Sequence, residues 1–422
     1  MKKKVIIAGH SLNDINGLSN VAGMLIVSYL NKGFEVAYLN ISSKPTDKKG
    51  LQFHGITKNI TVINANVYDN KCKSVFDDYL KDNPTELVIS IHDLWLLDHI
   101  TYSAFRSSFC WIAYQTFETN RYPDSVLAPT AVFPFPDKYK SLKAIVNSCD
   151  LVVPCSVTGE QALTNFGIKD SEFVYLGIDI PNKNVIDSYK SLTKKEVFNI
   201  DISEDSKIFM MVGVNNQRKK IDRTVLAFAN FLKSIDEEEQ NKHFLYLHSN
   251  LKRSFNGADI FEVLKELGIS NNVIIEMRNL PKEILYRRYA KCDCFISLYG
   301  AEGFGIPFVE ALLFDKPVIY TDYSAPAEYC TNFGKAVEVQ TYIYAPNFAI
   351  QLAIADIHDA VFKMREVMLS EIDEERTDSY EFVKENFNWK TNFEKLYYII
   401  NEAFDEWDNN QNKLKILIKR II

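Results

Sequence analysis

A chain of 422 residues exceeds what one ordinary hydrophobic core organises and suits two domains. With 47% apolar and 24% charged residues, its composition is globular rather than disordered. A net charge of −7 argues against a general nucleic-acid binder, which carries a basic balance.

From the N-terminus, Met1-Lys2-Lys3-Lys4 has the charge of a secretion signal, but the apolar run Val5 to Ala8 is too short to be one. No run approaches the roughly 20 apolar residues of a membrane-spanning helix. The seven cysteines are scattered, odd in number and without a CxxC pair, which points to free buried thiols in a reducing compartment. The chain is therefore expected in the cytoplasm, free or peripheral on the membrane inner face.

Short apolar runs then alternate with helical patterns. Strands are expected at Val5 to Ala8, Glu35 to Leu39, Ile60 to Ile63, Leu87 to Ile91, Phe109 to Ala113, Leu151 to Pro154 and Phe173 to Leu176, with a helix from about Asn20 to Asn31. The same grammar restarts with Ile208 to Val212, Phe244 to His248, Val273 to Glu276, Cys294 to Leu298, Pro317 to Thr321 and Ala336 to Val339. Continuous apolar strands separated by helices imply parallel sheets covered on both faces. The expected architecture is α/β: two doubly wound Rossmann-like domains, 1–180 and 207–389, facing a central cleft and joined by a polar linker, 181–206.

Phe393, Leu396, Tyr397, Ile400, Phe404 and Trp407 follow the spacing of one helix face, so 390–422 is expected as a long C-terminal helical segment packing back on the body. Its end, Lys413 to Ile422, mixes four cations with aliphatic residues. That pattern suits an anionic bilayer surface, and equally packing against the body or a partner subunit.

The chemistry-bearing segment runs from Ser297 to Glu328. A strand leads into Glu302-Gly303-Phe304-Gly305-Ile306, and Pro307 suits the first turn of the helix that follows. Gly303 and Gly305 let the backbone approach a ligand or take positive φ. The helix start offers unpaired N–H groups and a positive dipole end to a pyrophosphate. Glu302 can accept bonds from sugar hydroxyls, and Glu310, about one turn into the helix, from a ribose. After the first strand of the second series comes Gly213-Val214-Asn215-Asn216-Gln217-Arg218-Lys219-Lys220, whose cations can neutralise a diphosphate without a metal.

Glu-Gly-Phe-Gly-x-Pro-x-x-Glu, with Pro317-Val318 and Glu328 after it, resembles the donor-binding signature of glycosyltransferase family 4, a retaining family with the two-domain GT-B fold. The likeness extends from the first strand to Trp389, and Phe117-Glu118-Thr119 resembles a segment of one branch. It implies that 1–180 is the acceptor side and that 207–389 binds the nucleotide sugar. It further implies that Arg218, Lys219 and Glu302 are catalytic, and that Gly17, Gln115, Met277, Gly303, Phe304, Gly305, Ile306 and Glu310 hold the donor. Gln115 stands where many members have a histidine, and Val214 where many have a further arginine. His92, ending the strand before, is another cleft candidate or a satisfied strand-end histidine.

The implied function is metal-independent, retaining transfer of a hexose from a nucleotide-diphosphate sugar to a glycan, lipid-linked or protein-linked acceptor. No cofactor is expected: there is no GxGxxG fingerprint, no HExxH and no Asp-x-Asp in the cleft-forming loops. A sugar phosphorylase or epimerase of similar fold is the rival enzyme, although no pyridoxal-binding lysine pattern is present. A binding-only partner of a transferase is the rival of another class, and the intact set Arg218, Lys219, Glu302 and Glu310 argues against it.

Overall fold

The structure is a computed structural model that describes residues 4–14, 16–66, 72–122, 142–169, 171–251, 257–344, 350–369 and 378–421, with no side chain beyond Lys413. The basic tail beyond Lys413 and the lysines at positions 2 and 3 therefore lie outside the described side chains. The chain forms two compact units. One comprises Met1–Phe117, Tyr122–Leu176 and Lys390–Ile422; the other comprises Glu118–Arg121 and Gly177–Trp389.

In the first unit, β1 (Lys4–Gly9), β2 (Glu35–Asn40), β3 (Thr61–Asn64), β4 (Leu87–Ile91), β5 (Cys110–Gln115) and β6 (Leu151–Pro154) form one sheet. Its order is β3-β2-β1-β4-β5-β6, with every pair parallel. Strands β4 and β5 are buried along their whole length, which is why their sequences read as unbroken apolar runs. The first helix begins at Gly17, earlier than its periodicity suggests, because the Asn16 side chain caps the Ser19 N–H at 2.9 Å.

The segment Phe173 to Leu176 is not a strand. Val174 donates one backbone bond to Pro154, and its own carbonyl accepts from the Tyr114 hydroxyl at 2.9 Å, so a side chain replaces the next rung. The helix Trp389–Ile421 packs on this unit: Phe393, Leu396 and Ile400 are buried, and the Tyr29 ring meets those of Phe393 and Tyr397 edge-on.

The second unit repeats the arrangement. Its strands are β7 (Lys207–Val212), β8 (His243–His248), β9 (Val273–Glu276), β10 (Cys294–Ser297), β11 (Val318–Thr321) and β12 (Gly334–Val337). The order β12-β11-β10-β7-β8-β9 is that of the first sheet read from the opposite edge, again all parallel. Phe209, Phe228 and Phe231 anchor the core on one face. The stretch expected as linker holds two helices, Lys183–Lys190 and Lys194–Phe198. The second starts in a Thr193/Glu196 capping box and ends with Phe198 against Tyr246. An antiparallel pair, β13 (Val339–Tyr344) and β14 (Gln351–Ala355), was not foreseen.

All seven cysteines are free, and all but Cys149 are buried. No helix among the described residues is long and apolar enough to cross a membrane.

Candidate functional site

In the second sheet the strand order reverses between β7 and β10, which lie side by side and parallel. At such a point the loops leaving the two carboxyl ends diverge and open a crevice. The loop after β7 carries Arg218 and Lys219; the loop after β10 carries Glu302. Gly300 N–H donates to the Arg218 carbonyl at 2.8 Å, joining the loops, and Asn216 Oδ1 accepts from Lys219 N–H at 2.8 Å.

Glu302 is 5% exposed and is held by both cations. Arg218 Nη1 reaches one carboxylate oxygen at 3.0 Å and the Ala301 carbonyl at 2.8 Å, and Lys219 Nζ pairs with the other oxygen. Burial alone would raise the Glu302 pKa; the charges of Lys219 and Arg218 outweigh it and hold the carboxyl below its ordinary value. Burial lowers the Lys219 pKa, against the pull of Glu302. The backbone of Glu302 is fixed too, with its N–H donating to Ser324 Oγ at 2.9 Å.

The helix Ile306–Leu313 starts at Gly305, whose φ of 89° is left-handed and whose residue type leaves the start without a side-chain cap. A Cβ at Gly305 would come within 2.9 Å of Pro326 and 3.1 Å of the Tyr329 hydroxyl. That hydroxyl donates towards the carbonyls of Phe304 (2.6 Å) and Gly305 (3.2 Å). The Phe304 ring is turned into the core against Tyr329 and Phe387. Ile306 is half-buried at the helix start.

Glu310 lies one turn further on and is buried; burial pushes its carboxyl up to about 7, against the pull of Lys282 and Tyr289. Past β9, Met277 is 38% exposed. Its neighbour Arg278 forks onto Glu276 at 2.9 and 2.7 Å, holding that carboxyl down to about 2.

The second unit thus gathers Arg218, Lys219, Glu302, Gly303, Phe304, Gly305, Ile306, Glu310 and Met277. Gly17 and Gln115 belong to the first unit. Gly17 opens the first helix, and Gln115 ends β5, buried, with its Nε2 on the Thr116 carbonyl at 3.0 Å and its Oε1 without a partner among the described residues. His92 is buried at the end of β4, its Nδ1 accepting from Asp93 N–H at 2.8 Å, and it stacks on His10. Burial, then His10, lowers its pKa to about 3, so it is neutral at physiological pH.

Sequence reasoning missed the supports. Ser324 and Tyr329 appear ordinary in sequence, and only Pro326 between them hints at a fixed turn. No cluster of metal-ligating side chains occurs among the described residues.

Residues 193–360 match the family model of glycosyl transferases group 1. No protein with a curated description matches. Among solved structures, the sucrose-phosphate synthase of Thermosynechococcus elongatus superposes with a TM-score of 0.69 at 16% identity, covering 96% of this chain and 100% of that one. A glycosyltransferase from Rickettsia africae gives 0.63 at 18% identity, over 95% and 98% of the two chains. HepE of Anabaena, solved with UDP and glucose, gives 0.64 at 13% identity, over 95% and 100%. The fold is GT-B. Together with the group 1 match, which contains the whole cation and glutamate constellation, this GT-B architecture supports a glycosyltransferase.

Proposed function

We propose that this protein is a retaining, metal-independent hexosyltransferase of glycosyltransferase family 4, in the branch with the Phe-Glu-Thr segment. It uses a nucleotide-diphosphate sugar as donor and a sugar-containing or lipid-linked acceptor, and needs no cofactor. The observation that carries the reading is Glu302 seated between Arg218 and Lys219 beside the uncapped start of the Ile306 helix. The diphosphate draws the two cations from Glu302 and lies at the helix start, which frees that carboxylate for the sugar hydroxyls. Glu310 takes the ribose.

As the glycosidic C–O bond breaks, its electron pair passes to the leaving phosphate oxygen, where the fixed cations and the helix dipole act most strongly. The acceptor hydroxyl adds on the same face of the sugar and passes its proton to that phosphate oxygen. The coordination-free route is consistent with a site built from cations and N–H groups. HepE, solved with UDP and glucose, is one relative in fold whose ligands match this chemistry.

The test is thermal unfolding with UDP, GDP and ADP and their sugar conjugates, beside a Glu310→Ala control. A ligand at about 100 Kd stabilises its protein by roughly 2.7 kcal/mol, a shift of several degrees. One nucleotide is expected to give that shift and to lose it in the control. No shift with any nucleotide overturns the reading. With the donor known, Lys219→Ala is expected to lower turnover on the order of 10²–10³-fold, the scale for removing one charge-stabilising donor.

A further inference from the structure

A second carboxyl stands beside the same cations. Glu118 belongs to the four residues Glu118–Arg121 that pack with the second unit, although the chain around them belongs to the first. The segment is pinned there. Thr119 is fully buried with its Oγ1 2.6 Å from the Tyr323 hydroxyl, and Arg121 lies over the Tyr342 ring at 5.0 Å. Tyr323 immediately precedes Ser324, whose hydroxyl holds the Glu302 N–H.

Glu118 itself is only 9% exposed, and no hydrogen bond or ion pair joins its carboxyl to another residue among the described residues. The charged groups facing it are Arg218 and Lys219 from the loop after β7 and Glu302 from the loop after β10. A nearly buried carboxyl that no other residue's hydrogen bond holds, beside a cluster of charges, has bonding capacity left for a ligand.

Charge balance says what that is. Arg218 and Lys219 carry two positive charges against one on Glu302, so an ionised Glu118 brings the cluster to neutrality and leaves no positive charge over for an anionic ligand. Burial, and the repulsion of Glu302, raise its pKa against the pull of Arg218 and Lys219. A diphosphate that draws those two cations away adds more negative charge and favours the neutral acid further. We propose that Glu118 is a donor-contacting residue that binds as the neutral acid and donates its O–H to a diphosphate oxygen. The inference rests on the nucleotide-sugar reading above. Its consequence is that donor binding and proton retention at Glu118 are linked.

The experiment compares wild type with Glu118→Gln, which keeps the shape and an N–H donor but has no proton to lose. Affinities for UDP and GDP are measured by calorimetry from about pH 5.5 to about pH 8.5, in two buffers of different ionisation enthalpy. The ratio of variant to wild-type affinity is expected to climb with pH, approaching about tenfold per pH unit where the wild type must take up a proton to bind. Proton uptake on binding is expected to be larger in the wild type than in the variant. A ratio that stays flat with pH, including uniformly weak binding by the variant, overturns the assignment and leaves the nucleotide-sugar reading intact. A wild type that binds no nucleotide at any pH overturns both.

Discussion

Glu302 and Glu310 are buried glutamates eight positions apart, and their surroundings drive their protons in opposite directions. Lys219 and Arg218 keep Glu302 ionised despite its burial. Glu310 has Lys282 and Tyr289 near it, and burial still lifts its pKa from 4.5 to about 7. A carboxyl raised on folding costs stability above its unfolded pKa, and the cost grows until the folded pKa is passed. The ligand-free protein is therefore destabilised by Glu310 between about pH 4.5 and 7, and fully so above. Glu310→Gln is expected to stabilise it by on the order of 3 kcal/mol at pH 8 and by little at pH 4. Denaturant titrations at the two pH values check this; equal effects at both would rule the explanation out. Because a ribose needs the carboxylate as acceptor, the same group is expected to make donor affinity rise with pH up to about 7 and level off above it.

These glutamates and the cations were legible in sequence because each sits in a short run whose residue types share one task. Glu118 was visible only as part of a tripeptide. Its neighbours Arg218 and Glu302 lie far along the chain, and no local pattern announces that distance.

At the scale of elements, Tyr329 holds the turn into the Ile306 helix from outside. The Tyr329 hydroxyl ties the carbonyls of Phe304 and Gly305, and Gly305 must be left-handed with no room for a Cβ. Tyr329→Phe removes those bonds without emptying the core and is expected to cost about 1 kcal/mol of stability. Gly305→Ala adds both backbone strain and a clash, and is expected to cost about 1–3 kcal/mol and to weaken nucleotide binding well beyond Tyr329→Phe. Chemical denaturation and nucleotide titration of the pair check the order. A Gly305→Ala protein that binds as the wild type does would show that the left-handed start is unimportant.

Strand positions were mostly readable because buried parallel strands are continuous apolar runs. Phe173 to Leu176 has the same composition and misleads, since the Tyr114 hydroxyl occupies the carbonyl that would continue the ladder. The pair β13 and β14 went unseen because β13 is largely exposed and Gln340 and Thr341 break its apolar residues into short pieces.

At the scale of the whole molecule, each unit contains a piece that its contiguous sequence does not supply. The first needs the helix from Trp389 onward, which buries Phe393, Leu396 and Ile400. At about 1.5–3 kcal/mol for each such side chain, their loss removes roughly 5–9 kcal/mol. That is comparable with the entire stability of a domain, about 5–15 kcal/mol. A chain ending at residue 389 is expected to lose the near-ultraviolet circular dichroism of the first unit and to bind a hydrophobic dye. A truncated protein with a sharp, unshifted first unfolding transition would contradict this.

The same helix sets an order of events on the ribosome. The first sheet is made early, but the helix that covers Tyr29 is made later, after the whole of Gly177–Trp389. At about 5–20 residues per second, roughly 10–40 s of synthesis separate the two. During that interval the Tyr29 face of the first helix stands open to solvent or to a chaperone. The second unit, whose core lies within Gly177–Trp389, is complete before the first one is closed.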